Sequence, residues 1–160
     1  MKKLKIYLDT SIIGYLHQET QPEKMAETRQ LWEQIKNGVY DVIISNLLLE
    51  ELSNNPNEEI KNILLELLAE IDYETVSLNS EIEKLAVMII SHGILTQKSY
   101  EDCLHIATAL THDCNLLVSW NFKHLVNIRT INGVRAISNL AGYRSIDIVT
   151  PTLLIQEGDE

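Results

Sequence analysis

The sequence predicts an α/β fold, a central, mainly parallel sheet of four to five strands between layers of helices. Three observations predict it. Strand-like runs alternate with helix-like stretches along the whole chain, as in successive βαβ units. One run, Val39 to Ile44, is nearly all apolar, as in a strand covered on both faces. Polar residues follow two of the runs at once, Asp9 after Leu8 and Asn121 after Leu116 to Ser119. That is where ligands bind in open α/β sheets.

The elements follow in order. Leu4, Ile6 and Leu8 alternate with Lys5 and Tyr7 in strand period. Ser11 to about His17 reads as a short helix or turn. Pro22 suits a first helical turn; Met25, Thr28, Leu31, Trp32 and Ile35 recur at helical spacing, and Asn37-Gly38 stops the run. After the strand Val39–Ile44, Ser45 or Asn46 can cap a helix from Leu47 to Ser53, broken by Asn54-Asn55-Pro56. Glu58 to Ile71 carries an apolar stripe through Ile60, Ile63, Leu64, Leu67, Leu68 and Ile71. A strand over Tyr73–Leu78 and a helix from Asn79 or Ser80 to about Ser91 come next. Helix Ser99–His112, strand Asn115–Ser119, a short strand within Val126–Ile131, helix Ile131–Ala141 and strand Ile146–Val149 complete the pattern. No repeat or linker divides the chain, so residues 1–155 are expected to form one domain, with 156–160 a frayed tail.

The composition bounds the function. No apolar run is long enough to cross a bilayer, and no apolar segment follows Met1-Lys2-Lys3 as in a secretory signal, so a cytoplasmic protein without a membrane partner is expected. Cys103 and Cys114 make no disulfide framework and read as small buried side chains. The net charge of −10 opposes a polyanionic partner on average. The charge is uneven, however. Leu49 to Glu83 holds ten acidic residues and one Lys, whereas Ser119 to Ile146 holds Lys123, Arg129, Arg135 and Arg144 and no acid.

Four polar positions carry the chemical signal. Asp9 follows the first strand, though it could simply cap the next helix. Glu51, beside Glu50, shares a helix face with Leu47 and Leu48. A carboxylate there needs a cation or hydrogen bonds, and which of the two glutamates matters stays open. Asp102 begins an almost wholly apolar helix and stacks with Ile106 and Ala109; His105 follows at i+3, as a partner of Asp102, a phosphate ligand or a space-filling core residue. Asn121 follows the strand before it, in a place that also suits a cap. Clustered carboxylates repel unless a divalent cation neutralises them, and an all-oxygen set points to Mg²⁺ or Mn²⁺ rather than Zn²⁺. The implied chemistry is metal-assisted attack of water on a phosphodiester. Phosphate-binding glycine loops, the nucleophile elbow and the zinc-protease motif are absent from the sequence.

At these residues the chain resembles the PIN-domain proteins, a nuclease fold best known from VapC-type toxins of toxin–antitoxin pairs. The matching segments are Tyr7-Leu8-Asp9-Thr10-Ser11, Ile44 to Leu52, Asp102 to Ala109 and Leu117 to Phe122, in the family's order. The resemblance implies an α/β/α fold, one or two Mg²⁺ or Mn²⁺ ions and cleavage of single-stranded RNA. It makes Asp9, Glu51 and Asp102 the metal-binding and catalytic acids, with Ser11 and His105 in support. Asn121 stands where the family often has Asp, which makes it a fourth catalytic position and an auxiliary ligand through its carbonyl oxygen, in a cluster with one charge fewer. Lys98, Lys123 and Arg129 are candidates for contact with RNA. RNA, a cognate antitoxin protein and a second copy of the chain are the expected partners. Two other readings remain: a PIN-like module that binds RNA or protein but cleaves weakly or not at all, and an unrelated nucleotide-binding α/β domain.

Overall fold

The computed structural model describes residues 2–155. Its sheet has five strands, all parallel, in the order β3-β2-β1-β4-β5. The strands are β1 (Leu4–Leu8), β2 (Tyr40–Ser45), β3 (Glu74–Val76), β4 (Leu116–Val118) and β5 (Asp147–Val149). The helices are α1 (Thr10–Tyr15), α2 (Pro22–Lys36), α3 (Asn46–Ser53), α4 (Glu58–Leu68), α5 (Ser80–Ser91), α6 (Tyr100–Thr111) and α7 (Ile128–Ala141). Short 3-10 turns at Gln97–Ser99 and Pro151–Leu153 precede α6 and follow β5.

Register explains the two cores. Ile6 pairs with Val42 and Leu116, and Leu8 with Val118. These side chains face the layer of α1 to α4, against Leu31, Trp32, Leu48 and Leu64. Tyr7 pairs with Ile43 and Leu117, and Leu117 with Ile148, and these face α5, α6 and α7. Alternate residues of each strand thus feed opposite layers, which is why Val42–Ile44 of β2 and the whole of β4 are apolar. The chain builds outward from β1 through β2 to β3, then crosses back to place β4 on the other edge of β1. The switch point of the sheet therefore lies between the carboxyl ends of β1 and β4.

The expected short strand within Val126–Ile131 is not formed. Asn127 is extended and its carboxamide accepts from the Thr130 amide at 2.9 Å, so α7 begins at Ile128. The apolar residues read as a strand are the first turn of a capped helix. α4 ends at Leu68, and β3 keeps only Glu74–Val76 of the longer run expected. At Gly133, an added Cβ would stand 2.7 Å from Ile94, so the glycine permits close packing of α7 on the loop after α5. Cys103 and Cys114 are free and buried, and burial lifts both thiols to about 12. Among the described residues no helix is long and apolar enough to cross a membrane. The segment expected to fray, 156–160, lies outside the described residues.

Candidate active site

Asp9 occupies the N-cap position of α1 but does not cap it; its carboxylate makes no bond to the helix amides. Its oxygens instead accept from two hydroxyls, Ser11 Oγ at 2.6 Å and Ser119 Oγ at 2.6 Å. Each hydroxyl in turn accepts from a backbone amide just past β4, Ser11 from Trp120 and Ser119 from Asn121, both at 2.9 Å. The Asp9 amide donates to Val118 at 3.3 Å. The carboxylate is thus fixed across the switch point, with only 4% of the residue exposed. Burial raises its proton affinity; His105 and the two serines oppose that rise, and the charge of Asp102 adds to it.

Glu51 reaches the same place from the second turn of α3. Oε1 accepts from Thr10 Oγ1 at 2.5 Å and lies 3.1 Å from His105 Nε2. Burial is the strongest influence on this group and opposes its ionisation. Hydrogen bonds from His105, Thr10 and Glu101 together outweigh burial and bring Glu51 down to about 2. Glu101 is raised, first by sharing a hydrogen bond with Glu51. Glu50, the alternative, points to solvent. His105 is buried, with its other nitrogen, Nδ1, 2.6 Å from the Tyr7 hydroxyl, which donates to Ser45 Oγ at 2.9 Å. It is a fully partnered core histidine that also holds a site carboxylate.

Asp102, in the first turn of α6, faces two groups from the loop after β4. Its Oδ2 is 3.0 Å from His124 Nδ1, and Asn121 Nδ2 approaches Oδ1 at 3.5 Å. The Asn121 carbonyl accepts from the His124 amide at 2.9 Å, which fixes the orientation of the carboxamide. Burial raises Asp102's proton affinity, His105 and His124 lower it, and Glu51 raises it further.

Asp102 meets Asn121 directly and through His124, Asp9 meets the Asn121 backbone through Ser119, and Glu51 is held by Thr10, the residue after Asp9, so all four positions lie at the carboxyl end of the sheet. Of the basic candidates, Lys123 and Arg129 line a cavity of about 180 Å³ beside His124. Arg129 also donates to the Gly93 carbonyl at 3.1 Å. Lys98 lies on the exposed turn before α6, outside that cavity. The sequence reading missed Ser119, His124, Glu101, Tyr7 and Thr10 as parts of the site. Only His124, three residues after Asn121, carried a visible signal, the spacing at which an Asn side chain accepts from a backbone amide as a cap.

The donor chemistry suits a hard divalent ion, being carboxylate oxygen throughout. The buried Asp9 and the half-buried Asp102 both prefer a neutralising partner. Among the described residues, however, no three Asp, Glu, His or Cys side chains stand close enough to hold one ion together.

The sequence matches the PIN domain family over residues 6–123. No curated protein matches it. Among similar solved structures is the crystal structure of VapBC2 from Rickettsia felis bound to a DNA fragment from their promoter. The match has 16% identity and a TM-score of 0.60, over 91% of this chain and 98% of that one. At that identity it speaks for the fold alone. The family match spans β1 to the turn after β4 and takes in all four acid-site positions; the chain belongs to the PIN domain family.

Proposed function

We propose that this PIN domain is a Mg²⁺- or Mn²⁺-dependent endoribonuclease that hydrolyses single-stranded RNA in the cytoplasm, as the toxin of a type II toxin–antitoxin pair. The observation that carries this reading is the buried Asp9 carboxylate, held by Ser11 and Ser119 at the switch point beside Asp102 and Glu51. Stability alone gives no reason to bury a carboxylate there.

Asp9 and Asp102 would hold the ion, with Glu51 as a further ligand or as the group that positions water. Bound there, the ion would stabilise charge on the phosphoryl oxygens and favour ionisation of the attacking water. Glu51, ionised down to about pH 2, is too weak a base to carry a proton at neutral pH and is better suited to accepting a hydrogen bond from the water. His105 and Thr10 keep its oxygen aimed. Water would add to phosphorus with loss of a proton to solvent, the P–O bond to the leaving nucleoside would break, and the departing oxygen would take up a proton from solvent to leave as a hydroxyl. Asn121 positions Asp102, since its own carbonyl is engaged by the His124 amide. Lys123 and Arg129, beside the site, supply positive charge for the RNA backbone in a chain of net charge −10. An antitoxin partner is proposed from the likeness to VapBC2, and a homodimer from the family resemblance.

A second reading has its own support. His124 and Asn121 already face Asp102, and the ligands are not gathered around one point. Such a site fits a PIN-like module that binds RNA or protein without cleaving. Incubating single-stranded RNA with the protein, with Mg²⁺, Mn²⁺ or EDTA, decides between them. The nuclease reading expects cleavage that EDTA abolishes, and a melting temperature raised by Mn²⁺. Intact RNA in every condition, with melting unchanged by either ion, overturns it.

A further inference from the structure

Three aromatic rings and a lysine stand together where the site meets the α1–α2 layer. Tyr15 ends α1, and Trp120 and Phe122 flank Asn121. The Tyr15 and Trp120 rings lie 5.8 Å apart and those of Trp120 and Phe122 6.2 Å apart, both pairs tilted. Lys24 Nζ, from α2, is 5.5 Å from the centre of Tyr15, 5.6 Å from Trp120 and 5.2 Å from Phe122. Among the described residues no carboxylate is within ion-pair distance of it. Trp120 is buried and fixed: its indole N–H donates to Thr28 Oγ1 at 2.8 Å, and its backbone N–H to the Ser11 hydroxyl that holds Asp9. Phe122 is 48% exposed.

We propose that this cluster is a stacking platform for a nucleobase of single-stranded RNA, with Phe122 under the base and Lys24 on the neighbouring phosphate. The proposal rests on the nuclease reading and extends it to how the strand is held. One exposed phenylalanine is ordinary. An exposed ring backed by a rigid indole, with an ammonium poised among the rings and a hydrogen bond away from the group that holds Asp9, is a substrate-sized arrangement. Every base offers a π face, so such a platform tolerates sequence, and the local cation counters the repulsion expected of a chain of net charge −10. Holding the ammonium among the rings also limits the freedom it must give up when it meets a phosphate.

The test is fluorescence anisotropy with a fluorescein-labelled oligouridylate in EDTA, which withholds the ion that the proposed hydrolysis needs and so keeps the strand intact. Phe122→Ala and Phe122→Leu are expected to weaken binding by roughly 5- to 150-fold, and Phe122→Trp to restore it. Lys24→Met should flatten the logarithmic salt dependence by about one. Melting temperatures should stay as in the wild type, because Phe122 is half exposed. If wild type binds the oligonucleotide and cleaves RNA while both Phe122 variants bind equally well, the platform is overturned and the nuclease reading stands. If wild type neither binds nor cleaves, both fall. If Phe122→Ala leaves oligonucleotide binding intact but abolishes self-association in sedimentation, the cluster is an interface with a second copy of the chain, and the proposal is overturned.

Discussion

The two ends of the sheet both carry clustered charge, but they treat it in opposite ways. At the amino ends of the strands lies a cavity of about 460 Å³, lined by Lys3, Lys5 and Lys36 and by Asp41, Asp72 and Glu74. Its acids are exposed. Lys36 is satisfied by Glu33 at 2.7 Å and Glu70 at 3.2 Å, and Lys5 by the His112 carbonyl at 3.0 Å. At the carboxyl ends the cavity beside His124 is smaller, about 180 Å³, yet Asp9 is withdrawn from water and, among the described residues, no Lys or Arg is among the groups that shift its proton affinity. Cavity size therefore does not single out the end at which a carboxylate is buried. Charges in water are cheap and need no function; a buried carboxylate held by two serines is costly, and a fold keeps it for a reason other than stability.

The contrast is sharpest in activity. Asp9→Asn is expected to lower RNA cleavage by about 1,000-fold or more, the effect of losing several kcal/mol of transition-state stabilisation by a metal. Asp41→Asn, at the other end, should leave the rate within about twofold, as a solvated surface charge would. Equal losses in the two variants would erase the distinction. Next in size is the support beneath the site. Tyr7→Phe strands Ser45 and His105 Nδ1 without their shared partner and should cost about 1–3 kcal/mol, visible as a lowered midpoint in urea. A midpoint equal to that of wild type would show that water can take over the hydroxyl's role.

Asp102→Asn should raise the metal-free melting temperature by a few degrees and remove the gain from Mn²⁺. The sign follows from the raised proton affinity of Asp102. The ionised form is penalised at neutral pH, and the penalty is relieved only as pH falls through the raised value towards the ordinary 3.8. A variant that melts lower and still responds to Mn²⁺ would make Asp102 a structural residue. Asn121→Asp brings a second carboxylate up to Asp102. Calorimetric titration should show tighter Mn²⁺ binding and a less stable apo fold; unchanged affinity would place residue 121 outside the ion's reach. The smallest effect concerns Glu51. Its folded-state value is depressed, so the stability from its hydrogen bonds is present above the ordinary 4.5 and lost as pH falls towards about 2. The stability difference between wild type and Glu51→Gln should shrink over that window and stay constant above it.

Most of the fold was legible because both cores lie on a simple period. The Leu4-Ile6-Leu8 alternation gives β1, and the 3.6-residue stripe of α4 gives its buried side. The failure at Val126–Ile131 shows the limit. Val126, Ile128 and Ile131 suit a strand as well as a helix, and one side-chain bond from Asn127 decided the matter. The candidate acids were legible because a carboxylate next to apolar residues is conspicuous. Their partners were not. Tyr7 meets His105 across 98 positions and Asp102 meets His124 across 22, and neither spacing carries a periodic signature. Asn121 is a different case: its side-chain carbonyl accepts from the His124 amide only three residues on, so the capping role that its place after a strand also suited is the one it takes.

The hydroxyl that holds Asp9 from β4 belongs to a residue 110 positions further along the chain. On the ribosome, β1 can pair with β2 early, but its other edge has no partner until residues 116–118 emerge. Parallel pairing over such a distance is slow, and an open edge in the middle of a future sheet invites association with other chains. A nascent chain that stops before β4 already contains Asp9, Glu51 and Asp102, yet it lacks the strand that brings them to one place. Whatever the site does, it can do only after most of the chain has been made.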